Sequence, residues 1–362
     1  MARSVILRLP EPLPEEIELN LTETQDRTKN TAANRDYADL KRIIVESRLL
    51  DKQTGFYTYK IALTFALLGL SVLLMVLVKS PWLQMLNAVF MGFASSQVLF
   101  LGHDAGHRQI ARTAQGNDRI GLFVGNVMSG VSFSWWLQGH NRHHANTNDV
   151  HNDPDLDYPV LAFDEEQFKD KKPWQKWIIA RQKYFFFPIL SLAGLNLKCG
   201  GVKFMLENKF SGRAFEAVLI GFHFACYFAL LFWALGWWAL PFFVIHHMSL
   251  GVFLGSVFAP NHKGMPLVEG EARKDYLRVQ VLTSRNVFAH PVTDFMYGGL
   301  NYQIEHHLFP SIPRNRMREL QRIVKDFCEE RSVSYYETST LRSYREIMDF
   351  LHEVSAPLRE KS

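Results

Sequence analysis

Three short segments of the chain place imidazole or amide side chains at helical spacing. Their members stand three or four positions apart in the motifs HDAGH, HNRHH and QIEHH, and they are His103, His107, His140, His143, His144, Gln303, His306 and His307. Residues with this spacing share one face of a helix, so each segment can direct two or three side chains at one point.

The chemistry that these side chains support is metal binding. Imidazole suits iron, zinc and copper, whereas magnesium and calcium prefer oxygen ligands. The clusters hold more histidines than one four-coordinate ion needs, so we expect two metals, each with an open position for oxygen. A single histidine outside the clusters is more often an ordinary buried residue. That interpretation fits His223, His246 and His352.

The elements that must position these clusters are apolar enough to cross a membrane. Four stretches contain no Lys, Arg, Asp or Glu, namely residues 61–78, 82–102, 217–235 and 238–259. Each can cross a hydrocarbon core of roughly 30 Å as a helix. Short turns join the stretches in two pairs, which predicts two hairpins. We therefore expect an all-α integral membrane fold with four crossings, at about 59–79, 82–102, 215–235 and 238–259.

The positions of the basic residues predict the orientation of the chain. Of the 40 Lys and Arg residues, only Lys79 lies in a hairpin turn. Because positive charge is retained on the cytoplasmic side, we predict that both termini and a helical cap with all three clusters are cytoplasmic. The organisation would be an N-terminal segment (1–56), a membrane domain (57–320) and a C-terminal helical tail (321–362).

Two weaker apolar stretches and the overall composition complete this picture. Residues 119–137 and 184–197 are predicted to lie along the membrane surface.

The net charge is only +4, and the basic residues form no stripe with interleaved aromatic residues, which argues against a nucleic-acid partner. Cysteines without metal-type spacing indicate reduced thiols, and they are Cys199, Cys226 and Cys328.

Longer segments around the clusters carry a family resemblance. With HDAGH, GHNRHHANTN and GLNYQIEHHLFPSIPR, the chain resembles the membrane fatty acid desaturases over roughly residues 55–320, in the front-end-like and bacterial acyl-CoA or acyl-lipid subgroup. The resemblance implies a non-haem di-iron centre that uses O2. It also implies the iron ligands, which are His103, His107, His140, His143, His144, His306, His307 and, in APNHKGM, His262.

This chemistry needs a metal-bound oxidant, because no general base removes protons from unactivated methylenes near neutral pH. The protein holds the metals and excludes competing reactions, and we assign no separate acid or base. Neighbouring polar groups should fix the orientation of the imidazoles, and Gln303 could do so through water. The candidates are Asp104, Asp153, Asp155, Asp157, Asn286, Asn301, Gln303 and Glu305.

The partners and the alternatives follow from the same resemblance. The chain has no HPGG haem motif, so we expect electrons from a separate protein such as a ferredoxin, cytochrome b5 or a reductase. The substrate would be a fatty acyl chain on coenzyme A or in a membrane lipid, and the product would carry a cis double bond. A related di-iron hydroxylase or ketolase is the main alternative. A metal transporter is less favoured, since it would place its ligands inside the crossings.

Overall fold

The computed structural model describes residues 5–7, 17–19, 23–270, 273 and 275–360, and below residue 35 it describes the backbone alone. Parts of the expected N-terminal segment (1–56) and the last two residues of the expected tail (321–362) therefore lie outside the described residues. The described part is mostly helical.

The helices, in chain order, are α1 (Glu23–Glu46), α2 (Thr54–Leu77), α3 (Pro81–Gly106), α4 (Ala114–Leu122), α5 (Phe133–Ala145), α6 (Pro173–Ile179), α7 (Gln182–Leu190), α8 (Ala193–Glu207), α9 (Arg213–Leu235), α10 (Ala239–His262), α11 (Tyr276–Leu282), α12 (Pro291–Met296), α13 (Gln303–Leu308), α14 (Met317–Glu330), α15 (Thr340–Val354) and α16 (Ala356–Glu360). A π-helical turn, Phe123–Met128, extends α4. Short strands pair as β1 (Val5–Leu7) with β2 (Ile17–Leu19), antiparallel, and β3 (Asn286–Val287) with β4 (Glu337–Thr338), parallel.

The chain divides into two compact units. One contains residues 1–50, 140–186 and 257–362, and we call it the histidine unit. The other contains residues 51–139 and 187–256, and we call it the apolar unit.

The helices with the composition of membrane spans lie mostly in the apolar unit, and the last residues of α10 belong to the histidine unit. Among the described residues, Thr54–Leu77, Pro81–Gly106 and the stretch Arg213–His262 are long and apolar enough to cross a membrane. Two bent helix pairs raise the number of candidate spans from three to as many as five. The 50-residue stretch contains α9 and α10, which a turn at Gly236 separates. The four-crossing arrangement stays a prediction.

Buried amides hold the first hairpin of this unit together. Gln84, near the start of α3, donates through Nε2 to the carbonyl oxygens of Leu74, Met75 and Val78 at 3.0, 3.1 and 2.7 Å. Leu74 and Met75 belong to the last turn of α2 and Val78 is its C-cap, where a helix leaves carbonyl groups short of partners, although the Leu74 carbonyl also accepts from the N–H of Val78. Such bonds matter inside a bilayer because no water is present to replace them.

The helix boundaries differ from the expected crossings in one respect that matters for the clusters. α3 continues to Gly106, so His103 lies in its last turn instead of after it. The backbone N–H of His107 donates to the carbonyl of His103 at 3.1 Å, because no helix-breaking residue precedes Gly106.

The histidine unit has its own hydrophobic core. Residues of α1, α11, α13 and α14 meet in a cluster that includes Leu40, Leu277, Ile304 and Leu320, each fully buried. α14 places its buried residues on one face, as an amphipathic helix does. This core fixes the short helix α13, which carries the QIEHH motif.

Candidate metal centre

α5 carries the whole HNRHH motif and presents His143 to a carboxylate. His143 is buried, and its Nδ1 atom lies 2.9 and 3.0 Å from the two carboxylate oxygens of Asp153. Asp155 lies farther away, with 3.7 Å between its Oδ2 atom and the same nitrogen. Burial alone would lower the pKa of His143, but Asp155 and Asp153 together raise it.

His262 ends α10, and its ring is oriented by a backbone carbonyl. The Nδ1 atom of His262 lies 3.0 Å from the carbonyl oxygen of Thr283. A carbonyl oxygen can only accept a hydrogen bond, so Nδ1 carries the proton and Nε2 presents a lone pair.

His307 in α13 follows the same pattern. Its Nδ1 atom lies 2.8 Å from Oε1 of Gln280 and 3.1 Å from Oγ1 of Thr147. Oε1 of Gln280 also accepts from the Thr147 hydroxyl at 3.0 Å. Burial, with His144 and His262 close by, holds the pKa of His307 well below its usual value. The ring is therefore neutral near pH 7, which is the form that binds metals.

The three imidazoles converge through the nitrogens that remain. His143, His262 and His307 each offer a ligand nitrogen within 4.8 Å of the others. The Nε2 atoms of His262 and His307 are 3.0 Å apart. Two imidazole nitrogens bound to one ion at about 2.1 Å stand about 3 to 4 Å apart, so the spacing suits a shared metal.

Gln303 reaches the same point. Its Nε2 atom lies 2.8 Å from Nε2 of His262. Its Oε1 atom is buried and has no hydrogen-bond partner among the residues that the structure describes. An amide oriented in this way can approach a metal or a metal-bound water with either end.

A second group of histidines lies beside the first within the histidine unit. The Nε2 atoms of His140 and His144 are 3.1 Å apart, on successive turns of α5. The ring of His306 lies 4.9 Å from the ring of His144 and 6.3 Å from that of His140. All six histidines of the HNRHH, APNH and QIEHH segments thus lie close together.

The HDAGH motif belongs to the apolar unit. The rings of His103 and His107 are 4.7 Å apart at the end of α3, and both residues are buried. The carboxylate of Asp104 lies 3.7 Å from Nδ1 of His103. Trp136 stands against the same ring, with 5.7 Å between the ring centroids.

The remaining polar candidates behave in different ways. Glu305 accepts from Asn286 Nδ2 and Tyr335 Oη at 2.7 Å each, beside the ligand candidate His306. Burial raises the pKa of Glu305 to about 7, although these two hydrogen bonds lower it. Asn301 instead donates to Asp294 at 2.9 Å.

The acidic run divides in the same manner. Asp153 is buried against His143, whereas Asp155 and Asp157 are exposed. Burial opposes ionisation of Asp153, but its hydrogen bond to His143 and the nearby charges of His143 and Lys263 together lower its pKa. Asp153 therefore stays a carboxylate next to the imidazole.

The isolated histidines of the apolar unit have other partners. His246 lies between Tyr227 and Ser95, with hydrogen-bond distances of 2.7 and 3.1 Å. His223 lies 2.9 Å from the carbonyl oxygen of Val127. These contacts fit the expectation that single histidines are ordinary buried residues.

Sequence reasoning missed the groups that orient His262 and His307. Thr147 lies four residues after His143, just beyond the end of α5, and its nearness to the HNRHH motif is its local signal. Gln280 has none, because it lies in α11 and meets His307 only through packing. The carbonyl of Thr283 has no side-chain signature at all.

Comparisons with known proteins show which family the chain resembles. The family profile described as Fatty acid desaturase matches residues 80–339. A Delta(8)-fatty-acid desaturase of Helianthus annuus is 28% identical over 322 residues, which are 84% of this chain and 70% of that protein. The Delta(6)-fatty-acid desaturase fat-3 of Caenorhabditis elegans is 29% identical over 316 residues, 83% of this chain and 70% of that protein.

The Delta(5) fatty acid desaturase fat-4 of the same nematode is 28% identical over 320 residues, 85% of this chain and 71% of that protein. The histidine clusters fit a metal site, and the apolar helices fit a membrane environment. Since the profile covers well over half of the chain, the protein belongs to the fatty acid desaturase family and is a membrane oxidoreductase that acts on fatty acyl chains.

Proposed function

We propose that the protein inserts a cis double bond into a fatty acyl chain at a histidine-ligated di-iron centre. One observation carries the proposal. His143, His262 and His307 each have Nδ1 at hydrogen-bond distance from an oxygen acceptor, and their ligand nitrogens can meet within 4.8 Å. This arrangement is the usual one for metal-binding histidines, whose second nitrogen is held by a carboxylate or carbonyl.

The donor set of the histidine unit suits iron. All the candidate ligands are imidazoles, which bind iron readily and leave room for oxygen when a position stays open. The first ion would be held by His143, His262 and His307, with Gln303 beside it. The second would be held by a group that shares α5 and α13 with the first, in which His140, His144 and His306 take part.

The remaining ligands come from the family motif. His103 and His107 stand in HDAGH, where the family has its first histidine box, and they are proposed as iron ligands on that motif match.

Bound iron supplies the oxidising chemistry with O2, and the chain supplies orientation. Asp153, the Thr283 carbonyl and Gln280 each accept from Nδ1 of one ring, so that Nε2 of that ring is left for the metal. Four positive charges on two ferrous ions in a buried site need compensation. The carboxylate of Asp153 would provide part of this negative charge. Glu305, whose pKa is raised to about 7, would provide more of it when it is ionised.

The proposed topology of the chain has two helical hairpins, α2 with α3 and α9 with α10. They would lie in a membrane domain spanning residues 57–320. The basic residues outside the hairpin turns support a cytoplasmic active site and cytoplasmic termini. The tail, 321–362, would belong to the cytoplasmic cap.

The substrate proposal follows the names of the relatives. Delta(5), Delta(6) and Delta(8) desaturases are named for bonds counted from the carboxyl end, and we propose that this enzyme also acts in that part of the chain. Its acyl carrier would be coenzyme A or a membrane lipid. A separate ferredoxin, cytochrome b5 or reductase would supply electrons.

Expression in a host that lacks such an activity tests the proposal. Gas chromatography with mass spectrometry should detect a new unsaturated fatty acid with its double bond near the carboxyl end. His143→Ala should abolish this product, while the matched control His352→Ala should retain it. New hydroxy or keto acids without alkenes would select the alternative reaction and overturn the proposal.

A further inference from the structure

The charged side chains that are buried in the apolar unit outside the HDAGH motif include Glu216 and Lys198. Glu216 lies in the first turn of α9 with 2% of its surface exposed, and Lys198 lies in α8 with 9% exposed. Ionisable groups within apolar membrane segments are costly to bury and mark functional positions. Both residues contact one short segment, residues 126–134, which we call the α5 turn because it leads into α5.

The α5 turn joins two helical pieces that point in different directions. Ala114–Met128 and Phe133–Ala145 meet at an angle of 116°. The end of the first piece leaves carbonyl oxygens without partners, and the start of the second leaves N–H groups without partners. In an apolar environment these groups need other partners, because no water is present to bond an unsatisfied one.

Lys198 and His223 donate hydrogen bonds to carbonyl oxygens at the end of the first helical piece. Nζ of Lys198 donates to the carbonyl of Ser129. Nδ1 of His223 lies 2.9 Å from the carbonyl of Val127. A positive charge next to the C-terminal end of a helix is favourable, because the helix dipole is negative there.

Side-chain oxygens accept hydrogen bonds from the free backbone N–H groups at the start of α5. The hydroxyl of Ser132 accepts from the N–H of Trp135 at 3.2 Å, and Oδ1 of Asn126 accepts from the N–H of Phe133 at 3.1 Å. Both capping side chains then donate to Glu216, Ser132 at 2.7 Å and Asn126 at 2.9 Å. The carboxylate is therefore placed at the positive end of the α5 dipole.

The hydroxyl of Ser134 donates to the other oxygen of the same carboxylate. Glu216 thus holds three side chains of the α5 turn through both of its oxygens. Gly130 makes the turn compact. It has φ +62, and an added Cβ would lie 2.4 Å from the His223 ring.

We propose that Glu216 is a positioning residue for the HNRHH motif of α5. Lys198 has the matching role at the end of the first helical piece, where it bonds the carbonyl of Ser129. α5 is one continuous helix from Phe133 to Ala145, so a fixed first turn fixes the direction of the rest. His140 follows Ser134 by six residues, about 9 Å along the helix axis. The proposal rests on the proposed function, since it concerns the metals that α5 would hold.

The test compares Glu216→Gln with Glu216→Ala in the full-length, detergent-solubilised protein, with Glu207→Ala on the exposed face of α8 as the control. Cobalt(II) reconstitution reports on ligand geometry through its visible absorption, and turnover and thermal midpoint are measured on the same samples. We expect Glu216→Ala to lose at least half of the cobalt absorption and at least tenfold in turnover. Glu216→Gln should stay within threefold of wild type, because its amide can still bond the hydroxyls.

A merely structural role gives a different result, namely a lower thermal midpoint with an unchanged cobalt spectrum in the folded fraction. Ser134→Ala removes a single hydrogen bond and covers the case in which Glu216→Ala does not fold. We expect it to weaken cobalt binding about threefold. A wild-type cobalt spectrum in folded Glu216→Ala would overturn the proposal. If Glu216→Ala does not fold, a wild-type spectrum in Ser134→Ala would overturn it. Wild-type protein that binds no metal would instead contradict the proposed function.

Discussion

Both carboxylate oxygens of Asp153 lie within 3.0 Å of the Nδ1 atom of His143. The contact occupies Nδ1 of His143 and leaves Nε2 as the nitrogen available to a metal. The ring of His143 lies 4.9 Å from the ring of His262 and 5.1 Å from that of His307. A buried carboxylate thus sets the direction of one ligand in the candidate metal centre.

Replacement of this carboxylate is expected to weaken metal binding without preventing folding. We expect Asp153→Asn to lower metal affinity about 10- to 100-fold, the usual effect of removing an outer partner of a metal-bound histidine. Cobalt titration followed by visible absorption measures the change. Asp157→Asn in the same acidic run is the control, because Asp157 is exposed. Equal affinities of the two variants would contradict the role of Asp153.

Gln280 gives a weaker test of the same kind. Gln280→Leu removes one of two acceptors for Nδ1 of His307, while Thr147 keeps the other. We expect a loss of about tenfold in metal affinity, at the lower end of the range for such groups. Gln115→Leu, at an exposed position in α4, should leave the affinity unchanged. A loss as large as that of a ligand variant such as His307→Ala would show that Gln280 does more than orient the ring.

The histidine spacing could be read from the sequence because the helical period alone places residues three and four apart on one face. HNRHH lies entirely within α5, as that argument requires. The groups that orient the rings could not be found in this way. Gln280 and Thr147 are separated by 133 residues and meet only in the folded core. The 116° bend before α5 was equally hidden, because it depends on Glu216 and Lys198 from distant helices.

A buried ion pair supports the end of α10, which carries His262. Arg285 has a fully buried guanidinium that donates to the carbonyls of Pro260 and Lys263 and lies 2.7 Å from Oε2 of Glu346. We expect Glu346→Ala to destabilise the protein by about 3 to 5 kcal/mol, because it leaves a buried charge without its carboxylate. Denaturant unfolding followed by fluorescence measures this. Glu353→Ala on the exposed side of α15 should change stability by less than about 0.5 kcal/mol.

Cys328 is expected to be chemically inert in the folded protein. It is fully buried in the core of the histidine unit, and burial raises the pKa of its thiol to about 12. At pH 8 only about one such thiol in ten thousand would be ionised, and the thiolate is the reactive form. Iodoacetamide labelling followed by peptide mass spectrometry should modify Cys328 only after unfolding. Labelling of the native protein at a rate typical of a free thiol would show that this core opens readily.

The number of irons per chain tests the di-iron proposal most directly. Protein purified without metal and reconstituted anaerobically with ferrous iron should bind about two irons per chain, counted by plasma emission and characterised by Mössbauer spectroscopy. His307→Ala should lose at least one of them, and His352→Ala should keep both. A single tightly bound iron in the wild type, or full occupancy by zinc with no iron-dependent desaturation, would contradict the proposed centre.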